Sequence, residues 1–125
     1  MEADWFERLR EYCGARPGAW EDHPWGETVY KWKKKVFAFL GPRDAPSVTV
    51  RPTENREALL SLPFVRVAPY VGRYGWVTVE IADEAAWELA RELVDQSYRR
   101  LAGSGGGRAG AREQQDDPEL VSGQE

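Results

Sequence analysis

Cysteine and histidine are nearly absent from this 125-residue chain, since each occurs once. A single cysteine, Cys13, excludes disulfides within one chain and structural zinc sites built on several cysteines. A single histidine, His23, excludes sites with several histidine ligands and leaves few routes to acid–base catalysis near neutral pH. His23 stands beside two acids, which is typical of a surface residue. We therefore expect a non-enzymatic protein without metal or cofactor.

Long apolar runs are lacking as well. No stretch of the chain has the length of apolar residues that a membrane-spanning helix requires. The first residues, MEADWFERLREYC, have the acid-containing pattern of an amphipathic helix and not that of a signal peptide. We expect a cytoplasmic protein with no membrane partner.

Charge is unevenly distributed along the chain. The net charge of −4 argues against indiscriminate binding to nucleic acid. Residues 28–79, however, contain nine basic and three acidic side chains, whereas the segments on either side are acidic. The sequence therefore predicts a basic surface on the middle of the fold.

Apolar periodicity predicts one α+β domain over residues 1–102. Helical spacing indicates a first helix at about 3–14 and a last helix that is capped by Asp83 and ends near Ala102. Alternation indicates strands at 47–51 and 75–81 and a short one at 64–67, and Thr53 can cap a short helix to about Leu60. Residues 16–27 are predicted to be a loop that packs Trp20 and Trp25 onto the sheet. The glycine-rich and acidic segment 103–125 is predicted to be disordered.

The segment Thr28–Leu40, TVYKWKKKVFAFL, is predicted to be a hairpin with Lys33 and Lys34 in its loop. This register makes Trp32 face Lys35 and Tyr30 face Phe37. A tight two-residue turn favours positive φ angles, which lysine disfavours, so we expect a longer or bulged loop.

The expected architecture is an antiparallel sheet of four to five strands with the N- and C-terminal helices packed on one face. The aliphatic residues of the strands would form the helix-covered face: Val29, Val36, Ala38, Leu40, Val48, Val50, Val77, Val79 and Ile81. The opposite face would carry aromatic and polar residues: Tyr30, Trp32, Phe37, Phe39, Thr49, Arg51, Trp76 and Thr78. Because no further layer is predicted to cover it fully, this aromatic face is expected to be a contact surface.

Four short segments carry a family resemblance: Pro24-Trp25-Gly26, Lys35-Val36-Phe37-Ala38, Trp76-Val77-Thr78 and Ser97-Tyr98. Because these segments occur together and in this order, the chain resembles the MmcQ/YjbR family over about residues 5–101. The resemblance implies a small bacterial protein of frataxin-like α+β architecture. Its members have been proposed to bind DNA through a sheet-and-wing surface.

Two departures from the family pattern concern charge. Family members often have Gly-Gly at the hairpin turn, where this chain has Lys33-Lys34, and a basic pair before the last-strand tryptophan, where it has Tyr74-Gly75. The first departure favours phosphate contact and the second weakens it.

The candidate DNA-binding residues combine cations and aromatic rings. Phosphate contacts are expected from Lys31, Lys33, Lys34, Lys35, Arg51 and Arg73, and contacts to bases or sugars from Trp32, Tyr70 and Tyr74.

Other interpretations stay open. The lysines also suit a solubilising sheet edge, and the aromatic residues also suit a core. The aromatic face could instead bind a protein partner or a second copy in a homodimer. A small-ligand enzyme is a further alternative.

Overall fold

The structure is a computed structural model that describes residues 4–53, 56–69 and 71–103. Its three α-helices are α1 (Trp5–Gly14), α2 (Arg56–Leu60) and α3 (Glu84–Ala102). Its strands are β1 (Ala19–Asp22), β2 (Thr28–Trp32), β3 (Lys35–Leu40), β4 (Ser47–Val50), β5 (Val65–Val67) and β6 (Val77–Glu80). Short 3₁₀ turns cover Pro24–Gly26 and Gly72–Tyr74. The predicted α+β class is confirmed, whereas the predicted tail, apart from its first residue, lies outside the described residues.

The six strands form one antiparallel sheet in the order β1-β2-β3-β4-β6-β5. The predicted number of four to five strands was low because β1 lies in the segment predicted to be a loop. Its sequence, Ala-Trp-Glu-Asp, shows no clear apolar alternation. In the same segment Trp25 is 72% exposed and has a φ of 53°, so the expectation that this side chain packs onto the sheet was wrong.

Both terminal helices pack on one face of the sheet, as predicted. Asp4 and Asp83 accept hydrogen bonds from the third residue that follows each of them, which satisfies a free N–H at the start of α1 and of α3. The two helices run side by side in the same direction, because the Trp5 and Trp87 rings lie 6.1 Å apart near one end and Tyr12 contacts Asp95 towards the other. The main core between helices and sheet includes the buried residues Leu9, Cys13, Val48, Val50, Val77, Val79, Ile81, Trp87, Ala90, Leu93, Val94 and Leu101.

A β-bulge in the hairpin changes which side chains face the helices. Trp32 pairs with Lys35 as predicted, but beyond Lys31 the register shifts so that Tyr30 pairs with Ala38 and leaves Phe37 without a partner. The chain turns in only two residues, with a positive φ of 57° at Lys33, so the irregularity lies in the strand and not in the loop.

The predicted faces of the hairpin were therefore partly inverted. Tyr30, Trp32 and Phe37 belong to the helix-side core, whereas Val29 and Val36 lie on the opposite face. Positions after the bulge were predicted correctly, since Ala38 and Leu40 face the helices. An added residue in one strand moves every side chain before it to the other face.

The opposite face has its own small core. Trp76 is 1% exposed and packs with Val29, Val36 and Ala68, and its ring lies 5.4 Å from that of Phe39. The chain between β5 and β6 covers this cluster with Val71 and Tyr74. The prediction of an open aromatic face was wrong. A homodimer or a protein partner was predicted on this face because the face was expected to be uncovered, so that argument no longer holds.

Candidate nucleic-acid interface

Strand directions bring the candidate cations to one end of the sheet. β2 and β3 place their turn, Lys33-Lys34, at this end, and β4 runs back towards it and stops before Arg51. β6 starts at the same end, because Val50 pairs with Val77, and the 3₁₀ turn with Arg73 comes just before it. We call this surface the basic end.

The last turns of α3 reach the basic end as well. The Ser97 hydroxyl donates to the Phe37 carbonyl at 2.6 Å and accepts from the Arg51 amide at 3.0 Å. The Tyr98 ring packs at 5.4 Å against that of Phe37. Two further arginines therefore join the basic end, whose members are Lys33, Lys34, Lys35, Arg51, Arg73, Arg99 and Arg100. Sequence reasoning missed Arg99 and Arg100, although their position in the last turn of a predicted helix was a usable signal.

The four hairpin lysines differ in how freely they can contact a ligand. Lys33 and Lys34 are exposed at the turn. The Lys31 ammonium forms an ion pair with Asp22 at 2.9 Å and lies 5.2 Å from the centre of the Trp20 ring, on the face opposite the helices. Lys35 is half-buried, and burial lowers the pKa of its ammonium group. The turn lysines are thus the ones best placed for phosphate.

The predicted arginines occupy different environments. Arg51 is half-buried, and its guanidinium lies near Gly75, where an added Cβ would come 3.8 Å from Nε. Arg73 is exposed; it donates to the Tyr74 hydroxyl at 2.8 Å and lies 4.9 Å from the centre of that ring. The Arg73 side chain is therefore the better placed of the two to meet a ligand.

The aromatic side chains that were predicted to contact DNA are less accessible to a ligand than the predicted cations. Trp32 is half-buried against the helix-side core, and a Cβ added at Gly18 would lie 3.2 Å from its ring. Tyr74 is half-buried over the small core of the opposite face, and Tyr70 lies outside the described residues. Sequence reasoning did not select Trp20, which is 44% exposed and donates from Nε1 to the Lys33 carbonyl at 2.8 Å.

Acidic side chains gather at the other end of the sheet. Asp4 and Glu7 meet Arg43 of the β3–β4 connection at 2.9 Å and 3.1 Å. Asp83 and Glu84 begin α3 at this end. The acids at the N-termini of α1 and α3 and the bases in the last turn of α3 have a structural explanation, because they interact favourably with the helix dipoles. That explanation covers Arg99 and Arg100 but not the turn lysines, of which Lys33 places its ammonium group 4.8 Å from the centre of the Trp32 ring.

A second polar cluster lies in a cleft of about 320 Å³ between α1 and β1. Glu21 accepts hydrogen bonds there from the Tyr30 hydroxyl and the Arg10 guanidinium, and its other oxygen lies 2.7 Å from Nε2 of His23. The Tyr30 hydrogen bond, followed by those from Arg10 and His23, holds the pKa of Glu21 below its usual value. His23 is exposed, as predicted, and among the described residues no group of three or more metal-binding side chains forms.

Glu21 should make folding stability depend on pH. Because its carboxyl pKa is depressed in the folded state, its contribution is present above the ordinary value of 4.5 and is lost as the pH falls through the folded pKa. We expect Glu21→Gln to lower the unfolding free energy at pH 7 by about 1 kcal/mol. The difference from wild type should shrink as the pH falls from about 5 to about 3, as measured by urea denaturation. Exposed Glu11→Gln is the control and should stay within about 0.5 kcal/mol.

The comparisons with known proteins agree with this fold. The YjbR family model matches residues 14–100. The chain belongs to the YjbR family. Among solved structures, a protein from Pseudomonas syringae shares the fold with a TM-score of 0.58 at 16% identity, over 73% of this chain and 93% of that one.

YjbR membership confirms the resemblance drawn from the four short segments, and it now rests on most of the chain. No curated protein matches the sequence. None of the helices in the described part of the chain is long and apolar enough to cross a membrane.

Proposed function

We propose that this YjbR protein is a non-enzymatic, cytoplasmic DNA-binding protein that contacts phosphates through its basic end. The observation that carries the proposal is that exposed cations from separate segments lie together. Exposed cations from three separate segments, namely Lys33 and Lys34 of the turn, Arg73 before β6 and Arg99 of α3, lie at one end of a protein whose net charge is negative. A local positive field of this kind attracts a polyanion even when the whole protein repels it.

The geometry favours contacts to the DNA backbone over contacts to the bases. Trp32 and Tyr74, which stacking would require, are half-buried in the two cores. Cations on a projecting turn can approach phosphates without opening the duplex. The proposed binding is therefore independent of base sequence, with exposed Trp20 at its margin as the aromatic side chain best able to touch a sugar or an unpaired base.

Backbone strain at the turn supports the proposal. Lys33 has a φ of 57°, a left-handed conformation that favours glycine and costs a lysine about 1 kcal/mol. The resemblance gave Gly-Gly as the frequent family choice at this turn. A strained residue persists where its side chain has a use, and lysine supplies charge that glycine lacks.

Removing the two turn charges should weaken DNA binding without weakening the fold. We expect Lys33→Asn with Lys34→Gln to lower affinity for a duplex at low salt by about tenfold or more, since two phosphate contacts are lost. Asparagine tolerates the left-handed conformation, so the melting temperature should not fall. Fluorescence anisotropy with labelled duplex and single-stranded DNA measures the first effect, and thermal denaturation measures the second.

A control of equal charge is Arg43→Gln with Arg66→Gln. Arg43 lies at the acidic end, and Arg66 forms an ion pair with Glu80 at 2.8 Å. This control should change DNA affinity far less than the turn variant. Equal losses in the two variants would mean that net charge alone governs binding, and no binding by wild type at low salt would remove the proposal.

A further inference from the structure

An exposed tryptophan lies beside the basic end and belongs to neither core. Trp20 is 44% exposed, and it is absent from both the helix-side core and the small core around Trp76. It stands on the edge strand β1, where it pairs with Lys31 close to the hairpin turn. Within the described residues no strand lies beyond β1, so the indole ring is open to solvent at this edge of the sheet.

Two contacts hold the Trp20 ring in place. Its Nε1 donates a hydrogen bond to the Lys33 carbonyl at 2.8 Å, which ties the ring to the turn. The Lys31 ammonium lies 5.2 Å from the centre of the ring and is itself held by an ion pair with Asp22 at 2.9 Å. A ring that is fixed before binding loses little conformational freedom when a ligand packs on it. Trp20 is therefore a preformed aromatic platform next to the turn lysines.

The charges around Trp20 do not repel an anionic ligand. An edge strand is often protected by charged side chains, and β1 carries two acids, Glu21 and Asp22. Both acids are paired within the chain, Glu21 with Arg10 at 3.2 Å and Asp22 with Lys31 at 2.9 Å. The edge strand thus presents an aromatic surface whose neighbouring carboxylates are neutralised.

We propose that Trp20 stacks on an unpaired base and that the preferred substrate is DNA in which a duplex continues into a single strand. This inference rests on the proposed function, because the phosphates held by Lys33 and Lys34 bring the adjoining base to the ring. An indole stacks on every base, so the preference concerns the structure of the DNA and not its sequence. A base inside a duplex is stacked on its neighbours and reaches the ring only at the cost of unstacking.

Two DNA probes with equal numbers of phosphates separate stacking from charge. Both are the same duplex with a single-stranded extension, which carries its bases in one probe and consists of abasic nucleotides in the other. We call the ratio of the two affinities, with bases to abasic, the base preference. In fluorescence anisotropy the wild type should show a base preference of about fivefold or more, the effect of one stacked base. A wild-type base preference near one would overturn the proposal.

Substitutions of two exposed tryptophans test whether Trp20 provides the preference. Trp20→Ala should reduce the base preference to about one and leave the affinity for the abasic probe nearly unchanged, whereas Trp20→Phe keeps a ring and should retain part of it. The matched control is Trp25→Ala, since Trp25 is 72% exposed but lies between β1 and β2 at the other end of the sheet. A base preference that survives Trp20→Ala, or that Trp25→Ala lowers equally, would contradict the proposal.

The turn variant, Lys33→Asn with Lys34→Gln, separates this inference from the proposed function. It keeps the backbone carbonyl that holds Trp20, so it should weaken binding to both probes equally and leave the base preference unchanged. Weaker binding in the turn variant, together with a wild-type base preference near one, would support the function and remove the stacking. A high base preference in binding that the turn variant does not weaken would support the stacking and remove the contact at the turn lysines. Absence of binding to either probe would remove both.

Discussion

Replacing Trp76 by alanine should lower the unfolding free energy by about 3–5 kcal/mol, as expected for a buried aromatic side chain. Trp76 is 1% exposed and forms the centre of the small core on the face opposite the helices. Its ring meets Phe39 edge to face at 5.4 Å, and Val29 and Val36 pack beside it. The loss should be visible in urea denaturation as a lower midpoint with an unchanged slope.

Trp76→Phe is the matched variant for this prediction. The indole N–H of Trp76 is buried and has no hydrogen-bond partner among the described residues, so phenylalanine removes an unsatisfied donor while it keeps most of the apolar area. We expect a cost of about 1–2 kcal/mol, well below that of alanine. A cost under about 1 kcal/mol for Trp76→Ala would mean that this face is open and that the segment between β5 and β6 does not cover it.

Replacing Ser97 by alanine should lower the unfolding free energy by about 2–4 kcal/mol, because a buried backbone carbonyl and a partly buried backbone amide lose their partner. The bulge leaves Phe37 outside the strand pairing, and its carbonyl accepts from the Ser97 hydroxyl instead. The Ser97 hydroxyl oxygen in turn accepts a hydrogen bond from the Arg51 amide just after β4. Ser97 thus joins α3 to two strands at the basic end, and thermal or urea denaturation measures its contribution.

Ser61→Ala provides the comparison for Ser97→Ala. The Ser61 hydroxyl also donates to a backbone carbonyl, that of Ala58, but it is exposed and water can replace it. Its loss should cost less than about 0.5 kcal/mol. Similar costs for the two variants would contradict the role assigned to Ser97 in holding the bulge.

Local patterns were sufficient to predict most of the fold. The apolar spacing of α1 and α3 and the alternation of β4 and β6 follow from single segments, so both helices and the helix-side residues of both strands were predicted correctly, whereas Thr78, predicted on the open face, is buried. The bulge at Phe37 depends on a hydrogen bond from Ser97, 60 positions further along the chain. No local pattern contains that contact, which explains why the hairpin faces were partly inverted.

The candidate site, too, could be predicted from local sequence patterns only in part. The turn lysines were recognisable because charge clusters are visible in sequence. Their meeting with Arg99 follows from strand order and helix direction, which only the fold defines. The half-burial of Trp32 and Tyr74 likewise depends on which segment covers which face, and that removed the base-stacking contacts from the candidate site.

The salt dependence of duplex binding tests the central claim most directly. If four exposed cations, Lys33, Lys34, Arg73 and Arg99, neutralise phosphates, the logarithm of the binding constant should fall with the logarithm of salt concentration with a slope between about −2 and −4. The turn variant should lose about 2 from the magnitude of that slope. A slope near zero, or one that the turn variant leaves unchanged, would contradict phosphate binding at the basic end.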